Sequence, residues 1–563
     1  MSSECSPEAL SGAGTHPHAE ETSLLHLPNE ILYDIFKDLD EELPSLALLS
    51  RRLHYIALPI YFTHRDVPID LDRGSLELHG ERFAELLPAL RLALFVKSVQ
   101  RLHCRFGGPD SFTLKHIQQL RQLVGKLDRV GEVSLDFGKM TDYWTKTTSG
   151  MDWKLWTNEV GRLLGAIVTR GCTALSVRNG ESLALLYGFS YVRDEVLETI
   201  HRSGAGFSPS GPHDILRRSF STMMDRGVGR SSDGLDKASF NKAGGCNVEE
   251  IEINSSMLFC QDFAQWTKDV INASPIRSLT LDTPWLADPG TILPSLSIPK
   301  VSKLLIHSKV EYTDLLRFLD RHHTTILELT VDSDLYVATD TRKSGFGRLR
   351  DRLLNLDPFR APKGILENLT TLRATPEYLI HLLGSAGALP SLDRVTILLH
   401  VPCNERFRIG HVDTALSPVA PRLRHTVLSL KLFVECEHVH WIDMGHDAPG
   451  HGAASGQDDQ LRLLNVITQL ELNVPCSVLD FLAWPLRPDI AAFPQCAAQF
   501  SSLKELALVD WPYKEPETVD FVERVANTCE WVETVGINGH MRKVSEWLAL
   551  WPREELTGEV AEV

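Results

Sequence analysis

The chain has 563 residues, of which 43% are hydrophobic and 23% charged, a composition typical of folded proteins and unlike that of disordered or collagen-like chains. Its 57 basic and 74 acidic residues give a formal net charge of −17, so we expect no nucleic-acid partner for the surface as a whole. At roughly 100–200 residues per domain, the length indicates several domains or one long repeat array.

Several features of the sequence bear on the compartment. No run of apolar residues approaches the roughly 20 that span a bilayer, so we expect no membrane association. Residues 1–23 are polar, resemble neither a signal peptide nor a mitochondrial presequence, and are predicted to be disordered. The ten cysteines form no CxxC pair, which predicts reduced thiols. We therefore expect a cytoplasmic or nuclear protein.

Residues 24–64 carry two short amphipathic helical patterns. Pro44 opens the second pattern, and Pro59 is expected to close it. The apolar positions at helical spacing are Ile31, Leu32, Ile35, Phe36 and Leu39 in the first pattern and Leu46, Leu49, Leu53 and Ile56 in the second. A module of this size cannot bury so many apolar side chains by itself, so we expect part of each stripe to face another protein. An ordinary amphipathic helix pair with a local core is the alternative.

The order of residues in this segment resembles an F-box of the fungal type. The matching positions are Leu27, Pro28, Glu30, Ile31, Leu32, Ile35, Leu39, Leu46, Leu49, Ser50 and Arg51. The ending from Leu53 to Phe62 is similar to that of fungal members, whereas the tryptophan of animal members is absent. The resemblance implies that the segment docks a Skp-family adaptor, and through it cullin and RING subunits.

The resemblance also assigns the adaptor-binding residues. They are Leu27, Pro28, Ile31, Ile35, Leu39, Leu46, Leu49 and Ser50. Some of these residues must instead pack inside the module, and the sequence does not sort them. Ser50 and Arg51 either bond the partner or cap a helix.

From residue 66 onward the sequence repeats a strand-like pattern: an apolar residue, two others, an apolar residue, one other and a third apolar residue. Twelve copies occur, and the middle residues of the central copies are 28, 25 and 25 positions apart. The middle residues are Val133, Leu175, Ile251, Leu279, Leu304, Leu329, Leu372, Val395, Leu430, Leu470, Leu506 and Val535. The second and third apolar positions of each copy share one face of a strand and point into a core.

Helical patterns lie between several of these copies, for example from Thr313 and from Thr375. Strand, loop and helix make one unit that buries its faces only against its neighbours. The array resembles irregular leucine-rich repeats, whose repeats are about 20–29 residues long. We therefore expect an α/β chain in which a short helical F-box (24–64) precedes an irregular leucine-rich-repeat solenoid of strand–helix units (66–563).

Exposed residues between and just after the repeated apolar positions are the candidates for target binding, on the expected concave face. They are Asp282, Trp285, Lys303, Asp332, Asp510 and Trp511. A tryptophan exposed at a strand end suits recognition of a protein. Packing at the edge of the core is the alternative reading for each of them.

Two insertions rich in Gly and charged or polar residues, 202–247 and 443–460, are predicted to be flexible loops. The basic stretch 342–361 is read as a solvated helix face. Cys436, His438 and His440 would share one strand face, but a zinc site is not expected there because no second ligand pair is present. The sequence contains no phosphate loop, dinucleotide fingerprint, GxSxG or HExxH motif, so no cofactor and no catalytic residue are predicted.

The sequence thus favours a non-catalytic adaptor, which joins an unknown target protein to a cullin-RING ubiquitin ligase. The first alternative is a leucine-rich-repeat scaffold unrelated to ubiquitin, in which the N-terminal helices only cap the solenoid. The second is a hydrolase or transferase with a βα-repeat sheet, which would have a deep polar pocket and a perturbed carboxylate or histidine.

Overall fold

Short strands with apolar residues at alternate positions assemble into one open sheet. The computed structural model describes residues 24–68, 70–107, 111–138, 153–180, 246–282, 292–308, 310, 312–332, 366–385, 389–401, 423, 426–434, 466–473, 488–511 and 515–550. In these ranges fifteen strands pair in the order of the chain, so each strand lies beside its nearest neighbours in sequence. All pairs are parallel except the last, which is antiparallel.

The strands alternate with helices along much of the chain. The strands are β1 Ser75–His79, β2 Ser98–Arg105, β3 Arg129–Asp136, β4 Ala174–Arg178, β5 Glu250–Asn254, β6 Ser278–Leu281, β7 Lys303–Ile306, β8 Glu328–Val331, β9 Thr371–Ala374, β10 Arg394–Val401, β11 Val427–Val434, β12 Ile467–Asn473, β13 Glu505–Val509, β14 Thr534–Ile537 and β15 His540–Lys543. The α-helices are α1 Asn29–Lys37, α2 Leu43–Leu46, α3 Arg51–His64, α4 Arg82–Leu92, α5 Ser111–Lys126, α6 Trp153–Thr169, α7 Gln261–Ala273, α8 Tyr312–His322, α9 Pro376–Ser385, α10 Pro488–Ala497, α11 Glu515–Thr528 and α12 Val544–Leu550. This mixed α/β architecture of strand–helix units is compatible with a solenoid-like class. The helices expected from Thr313 and Thr375 are α8 and α9.

One face of the sheet forms the core. Leu279, Leu304 and Leu329 are paired in register on β6, β7 and β8, and all three are completely buried. The residues between the buried positions lie on the opposite face and are half-buried or exposed. This alternation follows from the two-residue period of a strand, and in the described residues it leaves one face of the sheet less buried than the other.

From β3 to β14 the repeat pattern predicts the register of every neighbouring pair except β10–β11, where it is two residues out of step. Val395 is paired with Leu428, and Ile397 is paired with Leu430, the residue that the pattern aligned with Val395. Val427, expected in the core as the first apolar position of its copy, is consequently 41% exposed. The pattern also missed β1, which has only two buried residues, and β15, whose four side chains are exposed.

Helix α3 differs from the predicted second helix. The chain forms a short α2, breaks, and starts α3 at Arg51 because the Ser50 hydroxyl accepts a hydrogen bond from the Leu53 N–H (3.2 Å). Pro59 lies inside α3 and does not end it. The prediction that Pro59 closes the helix was therefore wrong.

Six cysteines in the described ranges are free and buried. Burial raises the pKa of Cys172 and of Cys496 to about 12, so these thiols stay protonated at neutral pH. The expected disordered N-terminus (1–23), the insertion 443–460, the basic stretch 342–361 and all but residues 246 and 247 of the insertion 202–247 lie outside the described residues.

Candidate functional site

The N-terminal helices divide their apolar residues between an inner and an outer face. On α1, Leu32 and Phe36 are buried, whereas Ile31 and Ile35, one position earlier, are 46% and 41% exposed. The spacing of four residues keeps each pair on one side of the helix. The outer side of α1 is therefore apolar and faces solvent.

Arg52 of α3 holds the segment that precedes α1. Its guanidinium donates hydrogen bonds to the carbonyls of Leu25 (2.6 Å) and Leu27 (2.5 Å) and to the Asn29 Oδ1 (2.8 Å). These bonds fix the entry to α1 on the side of α3. The exposed apolar residues therefore stand on a constrained backbone.

The structure sorts the predicted adaptor-binding residues into two groups. Pro28, Ile31, Ile35 and Leu49 are exposed, and Leu49 is 69% exposed. Leu27, Leu39 and Leu46 are partly buried and pack against the core. Ser50 caps α3, as described above, so its hydroxyl already has a partner inside the chain.

Sequence reasoning missed part of the exposed apolar surface. The missed residues are Leu24, Leu25, Tyr33, Leu48 and Tyr55. Leu48 is 65% exposed because it falls in the break between α2 and α3, which the single predicted helix did not contain. Tyr33 and Tyr55 lie outside the predicted apolar stripes. An aromatic residue outside the buried stripe of a helix indicates exposed apolar surface, so the sequence did contain a signal for these two residues.

A second group of candidate residues lies where the parallel strands end. Asp282 follows β6 directly and accepts a hydrogen bond from the side-chain amide of Asn254 at the end of β5 (2.9 Å). Asn179 donates in the same way to Asp136 at the end of β3 (2.5 Å). Because the strands are parallel, their carboxyl ends lie at the same edge of the sheet and bring these side chains into one row. We call this row, which holds Asp136, Asn179, Asn254, Asp282 and Asp332, the polar row.

Asp332, directly after β8, is the most enclosed carboxylate of this row. One carboxylate oxygen lies 2.6 Å from the His400 Nε2, and the other lies 3.5 Å from the His307 Nδ1. Only 13% of the Asp332 side chain is exposed, and 14% of that of His400. The His400 ring stacks on Phe433 with centroids 4.5 Å apart, which fixes the imidazole in place.

These contacts shift the pKa values of Asp332 and His307. Burial by itself raises the pKa of Asp332, but hydrogen bonds from His307 and His400 outweigh it and hold this pKa well below its ordinary value. The hydrogen bond to Asp332 raises the pKa of His307. At neutral pH the row therefore carries a fixed negative charge beside a histidine that gains a proton readily.

The predicted target-binding residues do not share one environment. Lys303 is exposed, with its Nζ 3.7 Å from a Glu328 carboxylate oxygen, and Asp510 is exposed in a left-handed turn. Asp282 and Asp332 belong to the polar row. Trp285 lies outside the described residues.

Trp511 was predicted to be exposed for recognition, and this prediction was wrong. The side chain is 5% exposed, and its ring contacts that of Phe521 of α11 with centroids 4.9 Å apart. Its Nε1 donates to the Thr518 hydroxyl (2.9 Å). The Trp511 backbone N–H donates to the Asn538 Oδ1 (2.8 Å), and the Trp511 carbonyl accepts from the Asn538 Nδ2 (3.0 Å). The indole is a core residue that α11 covers.

A small gap of about 10 Å³, barely room for one water molecule, lies between β4, β5 and α7. Its lining is mostly apolar and includes Val177, Ile253 and Trp266; the carboxylate of Glu252, which also lines it, is 2.9 Å from the Arg178 guanidinium. The gap is therefore too small to serve as a ligand site.

Two further features concern metals and membranes. Among the described residues no group of His, Cys, Asp and Glu is arranged to hold a metal ion, and Cys436, His438 and His440 fall outside them. Within the same ranges, no helix combines the length and apolarity that crossing a bilayer requires.

No family model fits the chain, and no curated protein matches it. The F-box and the leucine-rich repeats therefore remain predictions from residue patterns. The two surfaces described above, one apolar and one polar, are the basis for a functional proposal.

Proposed function

We propose that the chain is the substrate-recognition adaptor of a cullin-RING ubiquitin ligase. The N-terminal helices dock a Skp-family adaptor as an F-box does, and the open face of a leucine-rich-repeat-like sheet binds a target protein. One observation carries the proposal. Of the sixteen large hydrophobic side chains exposed in the described residues, eight lie between Leu24 and Tyr55.

This concentration matters because exposed apolar side chains that cluster together are unusual on a monomer. Clustered apolar surface marks a place where another protein binds, whereas isolated exposed leucines need no explanation. Leu48 and Leu49 stand together in the α2–α3 break and are each more than half exposed. Burying two such leucines stabilises a complex by about 1.5–3 kcal/mol each.

The sheet supplies the other half of the proposed role. Its open face is polar, and its ion pairs join neighbouring strands, as between Arg101 and Glu132 (3.2 Å) and between Lys431 and Glu471 (2.6 Å). A target held on this face is brought near a ubiquitin-conjugating enzyme bound elsewhere in the ligase. The resulting gain in effective concentration is the mechanism, and the chain itself makes no bond.

The test is binding of the purified full chain to a recombinant Skp-family adaptor. The variant is Ile35→Asp/Leu49→Asp, which places two charges on the exposed apolar face without touching the core. The matched control is Leu155→Asp/Leu327→Asp, because these two leucines are 41% and 43% exposed but lie in the strand–helix region.

We expect the wild type and the control to bind, and the variant to bind at least about 100-fold more weakly, since two buried contacts are lost. Thermal unfolding of all three should coincide. Wild-type chain that is folded but does not bind, or a variant that binds like the control, would contradict the proposal.

The alternative is a scaffold unrelated to ubiquitin whose N-terminal helices cap the array. The observation that favours it is the inner face of α3, where Leu53, Leu58 and Phe62 are buried in the same core as α4. A cap has no need of the exposed outer face. The Asp variants therefore separate the two functions, since they alter only that outer face.

A further inference from the structure

The loop between α4 and β2 presents an exposed leucine on a fixed backbone. Leu94 is 48% exposed, and its N–H donates to the Nε2 of the buried His54 of α3 (3.0 Å). The Nζ of Lys126 donates to two carbonyls at the end of α4 and to the carbonyl of Ala93. A loop held from both sides loses little conformational freedom on binding, which favours affinity.

This loop is continuous with the exposed face of α3. Tyr55 is 44% exposed, and its ring lies 6.1 Å from that of Phe95, the residue after Leu94. The Arg51 guanidinium lies 6.0 Å from the Tyr55 ring centroid and follows the exposed Leu48 and Leu49 in the chain. The apolar surface of the N-terminal helices thus extends along α3 to the first strand–helix unit.

Three cations lie along this surface, and Asp72 and Asp128 lie near its Lys97 end. Arg51, Arg91 and Lys97 are exposed, and none of them forms an ion pair with a carboxylate of the described residues. Burial, together with the nearby charge of Lys97, lowers the pKa of Lys126. On a chain with a net charge of −17, such a local cluster favours a partner whose contacting surface is acidic.

We propose that Tyr55, Leu94, Arg51, Arg91 and Lys97 form a second contact for the Skp-family adaptor, here termed the loop surface. It receives an acidic segment of the adaptor that carries an apolar side chain. This inference rests on the proposed function and adds Arg91, Leu94 and Lys97, which lie outside the F-box resemblance (24–64), to the contact.

The loop surface has a mechanical consequence. The Tyr61 hydroxyl of α3 donates to the Glu85 carbonyl of α4 (2.9 Å), and Arg82 donates to the Arg65 carbonyl (3.2 Å). These bonds join the helices to the first unit of the sheet. An adaptor that contacts both α3 and the loop therefore fixes the direction in which the sheet presents its target.

The test measures the affinity and salt dependence of adaptor binding with the full chain. Two variants, Tyr55→Ala/Leu94→Ala and Arg91→Glu/Lys97→Glu, remove the apolar and the cationic parts of the loop surface. The matched controls are Leu155→Ala/Leu327→Ala and Lys115→Glu/Lys300→Glu, whose side chains lie away from the loop surface.

We expect the apolar variant to bind about 10–100-fold more weakly than its control. We expect the charge variant to associate more slowly and to respond less to salt, since fewer opposite charges attract the adaptor. If both variants bind like their controls while Ile35→Asp/Leu49→Asp abolishes binding, the loop surface is refuted and the proposed function stands. If the folded wild type does not bind, both are refuted.

Discussion

The N-terminal helices and the parallel sheet differ in how completely they bury their apolar side chains. In the sheet, each inner strand has a neighbouring strand on both sides, and Leu279, Leu304 and Leu329 on three such strands are completely buried. In the helices, residues of the same kind such as Ile35 and Leu49 remain in solvent. The helices carry more apolar surface than their own small core can cover, and the sheet does not.

The comparison extends to charge. Cations on the open face of the sheet pair with carboxylates of adjacent strands, as Lys303 does with Glu328. Around the α4–β2 loop, Arg91 and Lys97 form no such pair with the described residues. Ion pairs between strands thus recur on the sheet, whereas the N-terminal end leaves apolar and cationic groups for a partner to contact.

Deletion of residues 1–64 tests how far the two regions are separable and should have the largest effect. The deletion removes Leu53, Leu58 and Phe62 from a shared core and exposes the α4 residues that they cover. Since each such side chain contributes about 1.5–3 kcal/mol by burial, we expect the remaining chain to be largely insoluble. The measurement is the soluble fraction and the thermal unfolding of the truncated chain.

The control for this deletion is the full chain carrying Ile35→Asp/Leu49→Asp, which should stay soluble and unfold like the wild type. If the truncated chain is insoluble and the double variant is soluble, residues 24–64 act as a cap through their inner face and as a docking module through their outer face. A soluble truncated chain that unfolds at the wild-type temperature would show that the inner face is not needed.

A pair of leucine substitutions sharpens the contrast at single residues. Leu304→Ala opens a cavity in the middle of the sheet and should lower the free energy of unfolding by about 2–5 kcal/mol. Leu49→Ala removes a side chain that is 69% exposed and should change it by less than about 0.5 kcal/mol. Urea titrations of both variants provide the measurement. Equal losses would mean that Leu49 is part of the core.

The sequence alone predicts the sheet better than its edges. The repeated apolar pattern identifies the strands from β3 to β14 because burial on one face imposes a two-residue period. It fails at β15, where His540–Lys543 has no buried residue to create a period. It also misses the register change at β10, because the pairing with β11 depends on neighbours that a local pattern does not contain.

The candidate surfaces are predicted only in part, for a related reason. The apolar stripes of residues 24–64 indicate a partner, but which side chains face it depends on where α3 begins. That position is set by the Ser50 cap, and an unbroken helix was expected instead. Trp511 is buried because α11 folds over it, and α11 is distant from the strand-end pattern that suggested exposure.

The smallest expected effect concerns the polar row, and it depends on pH. Asp332 has a lowered pKa in the folded chain, so its contribution to stability is present above its ordinary value of 3.8 and is lost as the pH falls through the folded value. His307 has a raised pKa, so its contribution is present below its ordinary value of 6.5 and is lost as the pH rises through the folded value.

Both contributions are therefore complete only between these two ordinary values. We expect Asp332→Asn to lower the free energy of unfolding by about 1–3 kcal/mol near pH 5.5 and by less at a pH above the raised folded pKa of His307, where that histidine is neutral in the wild type as well. Urea titrations at the two pH values measure this difference, with the exposed Asp393→Asn as control. An equal loss at both values would show that Asp332 acts through its shape and neutral hydrogen bonds alone. A loss that shrinks with rising pH would instead assign a charged Asp332–His307 pair to the polar row, in contrast to Ile35 and Leu49 of the N-terminal segment, which do not titrate.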